Sequence, residues 1–241
     1  MKLRSFLVLL LVAGLTPAAF ADASRDSDLQ SSVADRLVDV TKDNGPWVDV
    51  NDGVATLSGK VPSVWAKNEA ISRALEVEGV TAVEDTLEIA NAESDKKLAE
   101  AVANTVRRYP FFTIFDDVNL SVDEGHVGLS GRVTMPFKAD EIERRVSKVM
   151  GVQSVKSEIA TLPVNIGDQK LRSALAYRIY NDSLFQPFAF RAHPPIHIVV
   201  ERGRVALTGA VRTQVEKRKA ELIARSTFGV FSVDNRLSVG D

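Results

Sequence analysis

Few residues in this chain of 241 are of a kind that does covalent chemistry. It has no cysteine, which excludes a thiol nucleophile, a thiolate metal site and a disulfide framework together. The three histidines are His126, His193 and His197. The last two stand four apart, the spacing of a helical metal face, but Pro194-Pro195 lies between them and prevents a helix there. There is no phosphate-binding glycine loop, dinucleotide fingerprint or serine elbow. Asp and Glu are plentiful but scattered, and no catalytic pair stands out. The chain reads as non-enzymatic, with no cofactor and no metal, and a hydrolase is the outlying alternative.

Binding chemistry is better represented. Tyr177, Arg178 and Tyr180 precede a segment with Phe185, Phe188, Phe190 and Arg191, which Pro187, Pro194 and Pro195 restrain. Arg107, Arg108 and Tyr109, followed by Phe111, Phe112 and Phe115, form a shorter version. Rings mixed with arginine suit a membrane interface, where the ring sits at headgroup depth and the cation meets phosphate. The competing reading is that they cap small cores or join neighbouring modules, with at least half of them buried. On the membrane reading, replacing Arg178, Arg191 and Phe188 together should weaken binding to anionic vesicles and leave the melting temperature alone.

Charge is distributed unevenly. Residues 22–92 carry 6 basic and 14 acidic side chains, residues 93–163 carry 10 and 11, and residues 164–241 carry 12 and 7. Each cation near an anionic bilayer is worth about 1 kcal/mol, so the basic last third is where a membrane would be met. Ordinary solvated surface, or attraction between the two ends of the chain, also accounts for the gradient. Nucleic acid is disfavoured by the net charge of −2 and by the N-terminus.

That N-terminus reads as an export signal over residues 1–21. Lys2 and Arg4 are basic, Phe6 to Leu15 is apolar, and Ala19-Phe20-Ala21 is a small-x-small cleavage site. The apolar run is shorter than the ~20 residues a span needs, and no later stretch could cross a bilayer. The expectation is a soluble periplasmic protein released by the Sec route; without a cysteine it is not a lipoprotein.

What positions these residues is a repeat. Gly53, Gly59 and Gly79 recur with the same spacing as Gly125, Gly131 and Gly151, and as Gly203, Gly209 and Gly229. Leu57, Leu129 and Leu207 recur with them, as do Val61, Val133 and Val211. Alternating apolar residues flank Asp52-Gly53, Glu124-Gly125 and Arg202-Gly203, which predicts β-hairpins closed by positive-φ turns. Gly59, Gly131 and Gly209 fall on the buried face, where a helix packed close over the sheet is the expected reason for glycine. A second helix should follow and end at Gly79, Gly151 and Gly229. A third strand then carries a polar residue, Asp85, Ser157 or Asn235, expected to hydrogen-bond the backbone of a nearby turn. Each copy opens with an amphipathic helix: Leu29, Val33 and Leu37; Leu98 and Val102 after Ser94-Asp95; Leu171, Leu175 and Ile179 after Asp168, with Ser, Asp or both as caps. The fold class is therefore α+β. Three tandem α-β-β-α-β modules span 22–92, 93–163 and 164–241, each a small three-stranded mixed sheet with two helices over one or both faces.

This pattern resembles the BON domain, whose hairpin has the form V-x-V-x-[DN]-G-x-V-x-L-x-G-x-V and whose last strand follows G-V-x-x-V-x-N-x-L. Here the hairpin runs Val48-Asp49-Val50-Asn51-Asp52-Gly53-Val54-Ala55-Thr56-Leu57-Ser58-Gly59-Lys60-Val61, and the last strand of copy three runs Gly229-Val230-Phe231-Ser232-Val233-Asp234-Asn235-Arg236-Leu237. The pattern is departed from at Ala55, at Glu124 and Arg202 before the turns, and by the insert before the third hairpin. The resemblance implies envelope proteins of bacteria, some osmotically induced, which bind phospholipid membranes or envelope proteins and maintain the envelope under stress. It implies no catalytic residues. The alternative to membrane binding is a chaperone-like adaptor that holds envelope proteins with aromatic loops and sheet edges.

Overall fold

The computed structural model describes residues 17–40, 45–92 and 94–240, with side chains from residue 24 onward. The basic start and apolar run of the expected export signal lie outside the described residues. The chain divides into two compact units, Met1–Val61 with Lys67–Glu88, and Pro62–Ala66 with Ile89–Asp241.

The first repeat comprises α1 (Pro17–Leu37), β1 (Trp47–Asn51), β2 (Val54–Val61), α2 (Val64–Leu75) and β3 (Ala82–Ile89). The second comprises α3 (Asp95–Arg107), β4 (Asp117–Asp123), β5 (His126–Val133), α4 (Pro136–Ser147) and β6 (Ser154–Thr161). The third comprises α5 (Ile166–Tyr180), a short α6 (Gln186–Ala189), β7 (Ile196–Glu201), β8 (Arg204–Val211), α7 (Gln214–Arg225), and a broken last strand, β9 (Ser232–Asn235) and β10 (Ser238–Val239). In each sheet the second hairpin strand is central. It pairs antiparallel with the first strand, as in Leu120 opposite Leu129 and Ile198 opposite Leu207. In the second and third repeats it pairs parallel with the last strand, as in Leu129 opposite Ser157 and Val205 opposite Val233.

Period-two alternation places one strand face in the core and the other in water. In the second repeat Val127, Leu129 and Val133 are buried with Leu98, Val102, Val106, Ile142 and Val146 of α3 and α4. The opposite face carries Asn119, Ser121, Asp123, Ser130 and Arg132. Both helices therefore lie on one side of the sheet. The third core is the larger, because Phe185 and Phe188 of the insert fill it beside Leu175, Ile179, Ile196 and Ile223.

The hairpin turns take positive φ at both central residues, for example 47° at Glu124 and 82° at Gly125, the type I′ geometry expected. The strand glycines depart from expectation. At two of the three it is the backbone at the start of the partner strand, and not a helix, that leaves no room: a Cβ on Gly131 would collide with the Asp117 carbonyl oxygen, and one on Gly209 with that of Pro195, just before β7. The third set also differs. Helices α4 and α7 are capped by Lys148 and Ser226, and the glycine lies inside a further turn, closed by bonds such as Val152 N to Val149 O (3.1 Å). The carbonyls of Gly79, Gly151 and Gly229 then pack against the turn glycines Gly53, Gly125 and Gly203.

Two of the three polar positions on the last strand, Asp85 and Asn235, accept from the amide two residues further on rather than from a turn. Leu87 N donates to Asp85 Oδ1 (3.0 Å) and Leu237 N to Asn235 Oδ1 (3.3 Å), while Asn235 Nδ2 donates to the Lys217 carbonyl of α7 (2.9 Å).

The aspartates at the first helices have a role the cap reading missed. Ser94 does cap α3, but Asn165 caps α5 by accepting from Asp168 N. Asp168 itself reaches across and accepts from both turn amides, Arg202 N (2.7 Å) and Gly203 N (2.8 Å). Asp95 holds Glu124 N and Gly125 N (2.9 and 3.1 Å) in the same way, and Asp26 holds Asp52 N and Gly53 N (3.0 and 3.2 Å). Hydrogen bonds to an ionised group are worth roughly 1.5–3 kcal/mol. Asp168→Ala should therefore lower stability by about that amount in urea melts. Asp26→Ala, at a more exposed clamp, should cost less. Equal losses would contradict the ranking by burial.

Candidate functional site

The structure separates the ten candidate contact residues into three groups. Phe185, Phe188 and Tyr109 are buried, the first two in the third core and the last in the second. The guanidinium groups of Arg191 and Arg212 each lie 5.0 Å from the Phe188 ring centre, and that of Arg145 lies 4.8 Å from Tyr109. Tyr180 is half-buried and donates its hydroxyl to the Ile196 carbonyl (2.6 Å), which ties α5 to β7. These four side chains serve packing. Replacing Phe188 would therefore lower the melting temperature, contrary to the expectation for the triple variant, because Phe→Ala in a core costs about 3–5 kcal/mol.

A second group stays at the surface of the third repeat. Tyr177 is 71% exposed and Phe190 88% exposed. Arg178 reaches from α5 to the end of α7, donating to the Ser226 carbonyl (3.0 Å) and to Ser226 Oγ (3.1 Å). The third group, Arg107, Arg108 and Arg191, lines a cleft between the second and third repeats.

The contact of Arg178 with Ser226 leads to a surface that the sequence reading did not single out. Helix α7 opens with a capping box: Thr213 Oγ1 accepts from Glu216 N (3.1 Å), and Glu216 accepts from Thr213 N (3.3 Å). Glu216, Ala220, Ile223 and Ala224 face the core. Burial works to raise the Glu216 pKa, but the Arg212 guanidinium and the amides of Arg212 and Thr213 hold it below the usual carboxylate range. The opposite face carries Val215, Arg218, Leu222 and Arg225, spaced by three, four and three residues, all exposed. Phe228, fully exposed, follows the helix, and Phe231 is exposed on the strand approach. Apolar and cationic side chains thus share one helix face, with Tyr177 and Arg178 beside its end. The signal lay in Leu222: Ala220, Ile223 and Ala224 set the core face of the helix, and Leu222 falls off it.

Among the described residues no cluster of His, Asp and Glu could hold a metal ion. No described helix is long and apolar enough to cross a membrane.

Comparison with known proteins gives one family and one curated relative. The BON domain model matches residues 25–91, 93–163 and 168–241. Osmotically-inducible protein Y of Escherichia coli (strain K12) is 33% identical over 147 residues, covering 56% of this chain and 72% of that protein. Among solved structures, the C-terminal domain of CdsD, the structural protein of the type III secretion system of Chlamydia trachomatis, is 15% identical, with 89% of this chain and 98% of that one covered and a TM-score of 0.26. The PrgH periplasmic domain is 12% identical, with 79% and 92% covered and a TM-score of 0.23. Likenesses at these TM-scores bear on neither fold nor function.

Proposed function

Because the chain belongs to the BON domain family, with three matched regions in tandem, we propose that it is a non-catalytic protein of the bacterial periplasm, acting in osmotic stress by docking on anionic phospholipid surfaces through its third repeat. The link to osmotic stress rests on the relative, named as osmotically inducible. The docking surface rests on one observation, the outer face of α7.

That face joins what an interface requires. Val215, Leu222 and Phe228 offer apolar area to the acyl boundary, and Arg218, Arg225 and Arg178 offer charge to the phosphates. Arg225 is tied to Glu221 (2.8 Å), so Arg218 and Arg178 carry most of the attraction. The helix lies along the surface without entering it deeply, because its other face is held in the core.

Vesicle flotation tests this. At low salt the protein should float with vesicles containing phosphatidylglycerol and not with phosphatidylcholine alone. The variant Arg218→Gln, Leu222→Ser, Phe228→Ser replaces only exposed side chains, so its melting temperature should hold. Its partition should fall at least tenfold, since one cation near an anionic surface is worth about 1 kcal/mol before apolar contact is counted. A bound fraction equal to the parent's would overturn the assignment of this face. Absence of flotation in the parent, with an envelope protein crosslinked to this face instead, would replace the membrane by a protein partner.

A further inference from the structure

The cleft that collects Arg107, Arg108 and Arg191 lies on a different part of the molecule from the α7 face and stands independently of the membrane reading. We infer that it is a binding site for a small organic phosphate.

Three observations carry this. The first is concentration of charge. The C-terminal end of α3 contributes Arg107 and Arg108, the segment after α6 contributes Arg191, and the last strand contributes Arg236. Asp117 is the one carboxylate among the described lining residues, and it is already engaged: its Oδ1 accepts from Thr208 Oγ1 (2.7 Å). Arg236 is offset by Asp234 (2.7 Å). No carboxylate pairs with Arg107, Arg108 or Arg191 among the described residues. Arg107 donates only to Asn104 of its own helix (2.7 Å), and Arg191 lies over Phe188. Like charges gathered in a concavity repel, and low-dielectric walls focus their field outward, so the arrangement favours an anion. Guanidinium forks match phosphate oxygens two at a time.

The second is shape. The cleft is half open to solvent and has a volume of about 1120 Å³, room for an organic ligand and far more than a lone ion fills. Phe112, Pro194 and Pro195 supply an apolar wall for the carbon portion.

The third is rigidity. Both sides of the cleft belong to one compact unit. His197 donates from Nδ1 to the Asp116 carbonyl (2.6 Å), its ring lies 5.4 Å from that of Phe112, and Ile198 N donates to the Ile114 carbonyl (2.7 Å). These bonds fix the floor on which the second and third repeats meet, so the residues that line the cleft are held in place without a closing motion.

A phosphate ester reaches such a site either as a free solute or as a lipid headgroup. The test titrates the purified protein with sn-glycerol 3-phosphate and with inorganic pyrophosphate, following amide shifts at Asn119, His197 and Thr208. Saturable binding is expected with Kd at or below about 1 mM, weakening at least tenfold in Arg108→Gln/Arg191→Gln. The α7 triple variant should bind both probes as the parent does, which separates this site from the membrane-docking face. If phosphatidylglycerol vesicles compete with the soluble probe in the α7 variant, the headgroup is the source; if they do not, it is a solute. No saturation by either probe, or equal affinity in the arginine variant, would overturn the inference.

Discussion

Lys138→Met should destabilise the protein by about 3–5 kcal/mol, the cost of leaving one charge of a buried pair alone. Asp116 is completely buried and Lys138 nearly so, at 2.7 Å from each other. The carboxylate also accepts from the backbone and hydroxyl of Thr113 (2.8 Å each) and of Thr134 (2.8 and 2.9 Å). Burial pushes the Asp116 pKa upward, but the Lys138 ammonium and these four donors outweigh it and hold the carboxyl below its ordinary value. A group depressed on folding stabilises above its unfolded pKa and loses that contribution as pH falls through the folded one. The parent should therefore keep this contribution down to about pH 4 and lose it in stronger acid. In Lys138→Met one lowering influence is gone, so the acid transition should move to higher pH. Thermal melts at pH 7 and an acid titration followed by circular dichroism check both. The double change Asp116→Asn/Lys138→Met removes the orphaned charge and should recover part of the loss. A single variant as stable as the parent would mean that the pair contributes nothing to the second repeat.

Gly131→Ala is expected to cost roughly 2–6 kcal/mol, combining a positive-φ penalty of ~1–3 with overpacking of ~1–3. Its φ is 132°, and the new methyl would meet the Asp117 carbonyl. Gly59→Ala, at φ 107°, is the control. There a Cβ would find Trp47 Cδ1 at 3.5 Å, an ordinary contact, so only the backbone penalty applies. Urea midpoints should fall clearly further for Gly131 than for Gly59. Equal losses would assign the whole effect to backbone conformation. The difference follows from the first strand of each hairpin, which crosses closer to the strand glycine in the second and third repeats than in the first.

The scaffold was legible because its signals are local. A glycine after an acidic or basic residue, flanked by alternating valine and leucine, specifies a hairpin whatever lies elsewhere, and the helical spacing of Leu98 and Val102 does the same for α3. What escaped depends on distant partners. Lys138 sits one residue before Ala139 in an amphipathic pattern and reads as solvated; only Asp116, arriving from another loop, makes it a core residue. The clamps formed by Asp26, Asp95 and Asp168 escaped because their distance from the turn glycine differs in every copy. For Phe185 and Phe188 residue type leaves two readings open, membrane contact and core capping, and the core-capping one holds, because the segment around the short α6 turns both inward. Tyr177 and Phe190, of the same type and the same segment, remained outside.

The aspartate clamps change how the hairpin tips should be regarded. An ordinary type I′ turn relies on its own residues, commonly Asn-Gly, to tolerate left-handed backbone. Here a carboxylate from a separate helix secures both turn amides, and the residue before the glycine contributes its backbone while its side chain is left free of that task. That residue is Asp52, Glu124 or Arg202, three side chains of different length, two acidic and one basic, in one strained backbone state. The tip is thus a display position: its identity can drift, or be selected for contact with other molecules, while the turn beneath it stays in register.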